Sequence, residues 1–110
     1  MDFDDAEAAF RKALEERKRR CPGLNKGLLI PETVQNYVMH HILSAANERG
    51  LFIQFHTGLL EGNRGMLSNS NPELLENLFL KYPGVKFDLF HIGYPYTGVT
   101  AALAKTYPNV

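Results

Sequence analysis

Two short apolar and aromatic runs, Leu51 to His56 and Val85 to His91, each close on a histidine, and those histidines stand thirty-five positions apart. Each run is too short for a helix of its own and reads as a buried strand. A helix-forming segment lies between them. Strand, helix, strand in that order is a βαβ unit, whose strands run parallel and whose crossover is right-handed. An all-parallel sheet needs both faces covered and several neighbours, so a domain with only this pair would leave two long edges open. The expected architecture is therefore α/β and incomplete by itself.

The flanking segments fit that reading. Residues 2–20 place Phe3, Ala6, Phe10, Ala13 and Leu14 at helical spacing, with acids early and Arg17 to Arg20 late, the order that suits the helix dipole. A second helix is predicted from Pro31, with Val34, Tyr37, Val38, His41, Ile42, Ala45 and Ala46 as its apolar stripe and Gly50 as its terminator. After the first strand, Thr57 to Asn71 form a loop rich in Gly, Asn and Ser, of a length that is often functional. Asn71-Pro72-Glu73 starts a third helix that Tyr82-Pro83-Gly84 stops. A last helix spans about Thr97 to Thr106, and a further strand would start at Pro108-Asn109-Val110.

Composition excludes several partners. Twelve Lys and Arg cancel twelve Asp and Glu, leaving no net field to attract nucleic acid or an anionic membrane. The run Arg17-Lys18-Arg19-Arg20 shares its helix with six acids and reads as a solvated helix end. Cys21 is alone, so no disulfide forms within the chain, and no apolar run approaches a membrane span. The acidic start Met1-Asp2-Phe3-Asp4-Asp5 is unlike a signal peptide, and a cytoplasmic location is the expectation.

The candidate chemistry lies at the strand ends. His56 and His91 occupy the carboxyl ends of adjacent parallel strands, the edge where barrels of this type carry catalytic groups, and neutral imidazole is the commonest transition-metal ligand. One such histidine alone reads better as a hydrogen-bonded structural residue; two at matching positions favour a shared ion. Alternation puts Gln54 and His56 on one face with Leu89 and His91, and Phe87 beside them. By the same count Lys86 and Asp88 would face the helix layer, where charge is costly. His40 and His41 adjoin in a helix, do not face each other, and read as structural.

Gln54-Phe55-His56-Thr57-Gly58, followed by Leu89-Phe90-His91-Ile92-Gly93-Tyr94-Pro95, resembles the paired strand-end motifs of the amidohydrolase superfamily, in the branch that includes metal-dependent decarboxylases. The resemblance covers residues 28 to 110. It implies that residues 26–110 are a βαβα segment of a (β/α)₈ TIM barrel, about its fifth and sixth units, with residues 1–25 a helical insertion or lead-in. It further implies that His56 is the fifth-strand metal ligand, and that His91 is a sixth-strand histidine that binds metal or polarises substrate. Gln54, Thr57, Glu61 and Tyr94 would line the substrate site. The implied cofactor is a divalent metal, zinc foremost, which lowers the pKa of a bound water so that hydroxide attacks a carbonyl-type carbon of a small molecule. Hydrolysis of a C–N or ester bond, or decarboxylation, follows from that chemistry.

The family's His-X-His pair and late catalytic aspartate have no counterpart here. Two neutral histidines fall short of the three protein ligands usual for catalytic zinc, so weak metal binding without turnover is expected of the chain by itself. A second reading makes it a small α/β assembly module with structural histidines, its open strand edges paired with another copy in a homo-oligomer. A phosphate-binding role for Gly58, Gly62 and Gly65 matches neither the P-loop nor the dinucleotide fingerprint.

Overall fold

The structure, a computed structural model, describes residues 2–20, 30–59 and 66–110. Its elements run α1 (Phe3–Arg20), α2 (Glu32–Arg49), β1 (Phe52–His56), α3 (Glu76–Lys81), β2 (Lys86–Phe90) and α4 (Thr97–Thr106). Short 3-10 turns at Leu67–Ser70 and Pro72–Leu75 precede α3. The chain divides into two compact units, Met1–Ile42 and Leu43–Val110. Among the described residues no helix is long and apolar enough to cross a membrane.

In the first unit, Ala6 is buried and Phe3 of α1 meets Tyr37 of α2 edge to face, with ring centroids 5.9 Å apart. Glu7 and Arg11 form an exposed pair one helical turn apart at 2.6 Å; exposed pairs of this kind add at most a few tenths of a kcal/mol. His41 stacks on Tyr37 at 6.4 Å.

α2 ends as its sequence requires. Gly50 takes a positive φ of 64°, its N–H bonds the Asn47 carbonyl, and the Leu51 N–H reaches back to Ala46 at 2.9 Å. That pair of bonds is a Schellman cap, for which glycine is the favoured residue. The expected stripe of α2 is turned by about one position. Leu43, absent from that stripe, is wholly buried with Ala46, whereas Val38 and Ile42 are exposed. Apolar residues stand on both sides of the stripe, so the period alone does not say which side turns inward.

β1 and β2 pair in parallel, Phe52 opposite Lys86 through His56 opposite Phe90. This register corrects the expected faces. Phe87 is buried and lies opposite Ile53, and Leu89 lies opposite Phe55, so these four form the face under the helices. Lys86 and Asp88 share the open face with Gln54 and His56, which removes the cost of charge beneath the helix layer. The expectation failed because it carried alternation through His91, whereas the strand ends at Phe90.

The core of the second unit is aromatic. Phe79 of α3 packs edge to face on Phe87 at 4.9 Å and against Tyr107 at 5.6 Å, while Phe55 stacks on Phe87. Leu43, Val85 and Leu103 complete it. Asn71 caps the turn before α3 by accepting the Glu73 N–H at 3.1 Å, with Pro72 next to it as expected. The segment from Pro72 is a 3-10 turn that becomes α-helix only at Glu76, where one longer helix was expected.

Asn109 joins the remaining loose ends. Its side-chain amide donates to the carbonyls of Phe79, Tyr82 and Val85 at 3.0, 3.2 and 3.3 Å, and its own carbonyl accepts the Phe87 N–H at 2.7 Å. The end of α3 and the start of β2 are thus held by one buried side chain. Tyr107 donates its hydroxyl to Glu76 at 2.9 Å.

Asn109→Ala leaves buried carbonyls without a donor and is expected to lower unfolding free energy by roughly 1–3 kcal/mol, measured by urea denaturation. A second expectation concerns pH. The hydrogen bond to Glu76, then burial and the negative charge of Glu76, raise the Tyr107 phenol above its ordinary 10.0. A raised folded pKa means that this contribution is complete below pH 10.0 and is lost as pH climbs through the folded value. The stability difference between wild type and Tyr107→Phe should therefore shrink in alkaline urea titrations and stay constant between that range and neutral pH.

Candidate functional site

β1 delivers His56 as its last residue, on the open face of the sheet. β2 delivers His91 by a different route. Past Phe90 the backbone enters three successive positive φ values, 69° at His91, 54° at Ile92 and 62° at Gly93. Only the last is a glycine, and non-glycine residues, β-branched ones above all, avoid this region. Strain of this sort gathers at functional sites and persists only where its surroundings impose it. Here the turn reverses simple alternation and swings the His91 ring onto the face that carries His56.

The surroundings that impose the turn come from the segment after β1. Thr57 donates its hydroxyl to the Phe90 carbonyl at 3.0 Å and its N–H to the same oxygen at 3.3 Å. Two residues later the Leu59 N–H bonds the Tyr94 carbonyl at 2.6 Å. The left-handed turn is thereby gripped on both sides. Gly58, between these bonds, has a φ of 72°, and a Cβ there would collide with the backbone of Gly93 and Tyr94. Ser70 fixes Gly58 in turn: its hydroxyl donates to the Gly58 carbonyl at 2.6 Å, and its own carbonyl accepts the Gly58 N–H at 2.7 Å. Gly93 is as constrained, since a Cβ there would collide with the Thr100 hydroxyl.

The result is a pair of imidazoles in contact. His56 Nδ1 lies 3.0 Å from His91 Nε2, with one ring donating and the other accepting. The ring planes stand 68° apart, and the Phe90 ring packs 4.9 Å from His56 and 5.3 Å from His91. Both histidines are exposed. Two imidazole nitrogens bound tetrahedrally to one zinc ion stand about 3.3 Å apart, given bonds of about 2.0–2.1 Å. The observed spacing needs to open by only a few tenths of an ångström, so the donor set fits two positions of such an ion. Among the described residues no group of three or more His, Cys, Asp or Glu side chains is arranged to hold a metal.

The other expected site residues fall differently. Gln54 is on the His56 face and donates its amide to Asp88 at 2.9 Å across the sheet. Thr57 is 3% exposed with its hydroxyl turned inward to Phe90. Tyr94 is exposed beyond the turn, and its peptide bond to Pro95 is cis. Glu61 lies outside the described residues. Asp88, Phe90 and Ser70 were not singled out from sequence. Alternation assigns Asp88 to the wrong face, Phe90 enters only as part of the second motif, and Ser70 carries no motif.

The amidohydrolase family model matches residues 2–110, which takes in every element from α1 to α4. Protein fluG of Emericella nidulans is 47% identical over 58 residues, an alignment that covers 53% of this chain and 7% of that protein. The chain therefore spans a small part of this relative. No solved structure matches. A sequence match over nearly the whole length, joined to histidines that meet at the ends of two parallel strands, fixes the assignment: the chain belongs to the amidohydrolase family.

Proposed function

We propose that this chain contributes two ligands, His56 and His91, to the divalent metal of a hydrolase centre, with zinc the foremost candidate. The observation that carries the reading is the 3.0 Å approach of His56 Nδ1 to His91 Nε2 at the carboxyl edge of a parallel sheet. In this reading β1 and β2 are the fifth and sixth strands of a (β/α)₈ barrel, whose carboxyl edge carries the catalytic groups. When bound, the ion supplies an acidified water as nucleophile toward a carbonyl-type carbon of a small-molecule substrate, in C–N or ester hydrolysis or in decarboxylation.

The protein's own part is positional. His56 and His91 present neutral nitrogens on one side of the sheet, and the Phe90 ring limits how far either imidazole can rotate. Gln54 and Asp88 make a polar strip on the same face, two residues back from His56. Tyr94, exposed beyond the turn, is proposed to meet substrate, a role that the family resemblance gives to Glu61 as well. Thr57 holds the strand ends together. Two nitrogen ligands leave the third protein ligand and the charged base of a catalytic zinc centre to be supplied from elsewhere. The chain alone is therefore proposed to bind metal without turnover.

A second reading, assembly with another copy of the chain, draws on a separate observation. Phe52 and Phe90, on the open face of the sheet, are 67% and 42% exposed, and the sheet has only two strands among the described residues. Pairing of edges or open faces between copies would cover this surface.

Zinc calorimetry on the purified chain is expected to show one weak site. His56→Ala and His91→Ala should each weaken it by more than about 100-fold, beyond the range typical of residues outside the ligand shell. Binding untouched by both changes would end the ligand reading. For assembly, sedimentation velocity should show a dimer that Phe52→Lys dissociates; a monomer at every concentration would remove the second reading.

A further inference from the structure

We infer that Thr57 is a positioning residue for His91, acting through the Phe90 carbonyl and touching no ligand itself. The inference rests on reading His56 and His91 as a ligand pair and concerns what sets the spacing between them. Thr57 is 3% exposed, so its hydroxyl is not presented to a substrate. That hydroxyl is spent on one acceptor, the Phe90 oxygen at 3.0 Å, which also takes the Thr57 N–H at the longer 3.3 Å.

The place of that oxygen matters. Phe90 is the last residue of β2, and its carbonyl belongs to the peptide that leads directly into His91 at a φ of 69°. The main-chain bond from Thr57 is long for N–H···O, so the hydroxyl is the firmer of the two restraints. Removing it frees this peptide to rotate. Because His91 is the next residue, rotation there carries the imidazole away from His56 Nδ1. A hydroxyl at the end of one strand thus fixes a ring at the end of its neighbour, and Thr57 couples the two histidines although it contacts neither through an observed hydrogen bond. Partners of this outer kind commonly set ligand orientation and change metal affinity by about 10–100-fold when removed.

The test compares Thr57→Val, which keeps the shape and deletes the donor, with Thr57→Ser, which keeps the donor. Two readouts are taken on the full chain: zinc affinity by calorimetry, and the nitrogen-15 ring signals of His56 and His91 in metal-free protein. Thr57→Val is expected to weaken zinc binding by roughly 10–100-fold and to shift both ring signals toward those of unpaired imidazoles, with Thr57→Ser restoring both. Asn109→Ala, destabilised at a distance from the histidines, should leave the ring signals in place, which separates positioning from loss of stability. A folded Thr57→Val protein with wild-type ring signals overturns the inference. Should Thr57→Val fail to fold, Thr57→Ser decides: a folded Ser variant that loses the paired ring signals also overturns it. If wild type binds no zinc, the ligand reading fails separately, and the metal-free ring signals still judge the role of Thr57.

Discussion

The parallel register of β1 and β2 governs what happens at the carboxyl edge. With Phe52 opposite Lys86, His56 falls opposite Phe90, and His91 is left as the first residue beyond the paired strands. A slip of one position would turn every side chain to the other face, placing Gln54 and His56 under the helices and Phe55 in the open. What holds the register is the demand of Phe87, Leu89, Ile53 and Phe55 for the helix side, together with the Phe79, Phe87 and Tyr107 cluster against which that side packs. The core therefore sets the position of residues that take no part in it.

Past the register, local backbone cost and local hydrogen bonding are closely matched. Two non-glycine residues at positive φ cost about 1–2 kcal/mol each. Against them stand the bonds from Thr57 to Phe90, from Tyr94 to His91, from Leu59 to Tyr94 and from Tyr96 to Gly93. At about 1 kcal/mol apiece these offset the strain with little left over. A turn so balanced depends on its partners, Ser70 among them from twelve residues away, whereas Gly58 and Gly93 tolerate no side chain because a Cβ there would collide with backbone or with the Thr100 hydroxyl.

Much of this was legible in the sequence, where the signal is local. Gly50 announced the end of α2, Asn71-Pro72 the start of the turn leading to α3, and the short aromatic runs announced the strands, because each rests on one residue's backbone preference or on a period of two. The matched strand-end histidines were legible too. The face of α2 was not, since Leu43 and Ile42 are both apolar and only tertiary contact chooses between them. The lumen assignment of Leu89 failed because alternation assumes a strand that continues, and three left-handed residues cannot be foreseen from His91-Ile92-Gly93 when two of them disfavour that region. Asn109 and Thr57 were opaque as structural elements for another reason: their partners lie 24 to 33 residues away, and nothing in a short polar side chain names the carbonyl that it will find.

The contact between His56 and His91 bears on the metal ligation proposed for the pair. A hydrogen bond across the 3.0 Å between Nδ1 and Nε2 requires one ring to donate and the other to accept, whichever tautomer each adopts. A cation that accepts both nitrogens needs both lone pairs, so the donating ring must first move its proton to its opposite nitrogen. Both rings are exposed, and water can carry that exchange. In the proposed reading, ligand binding is thus a change of tautomer in one imidazole, and the two rings are held near each other beforehand by the hydrogen bond that they share.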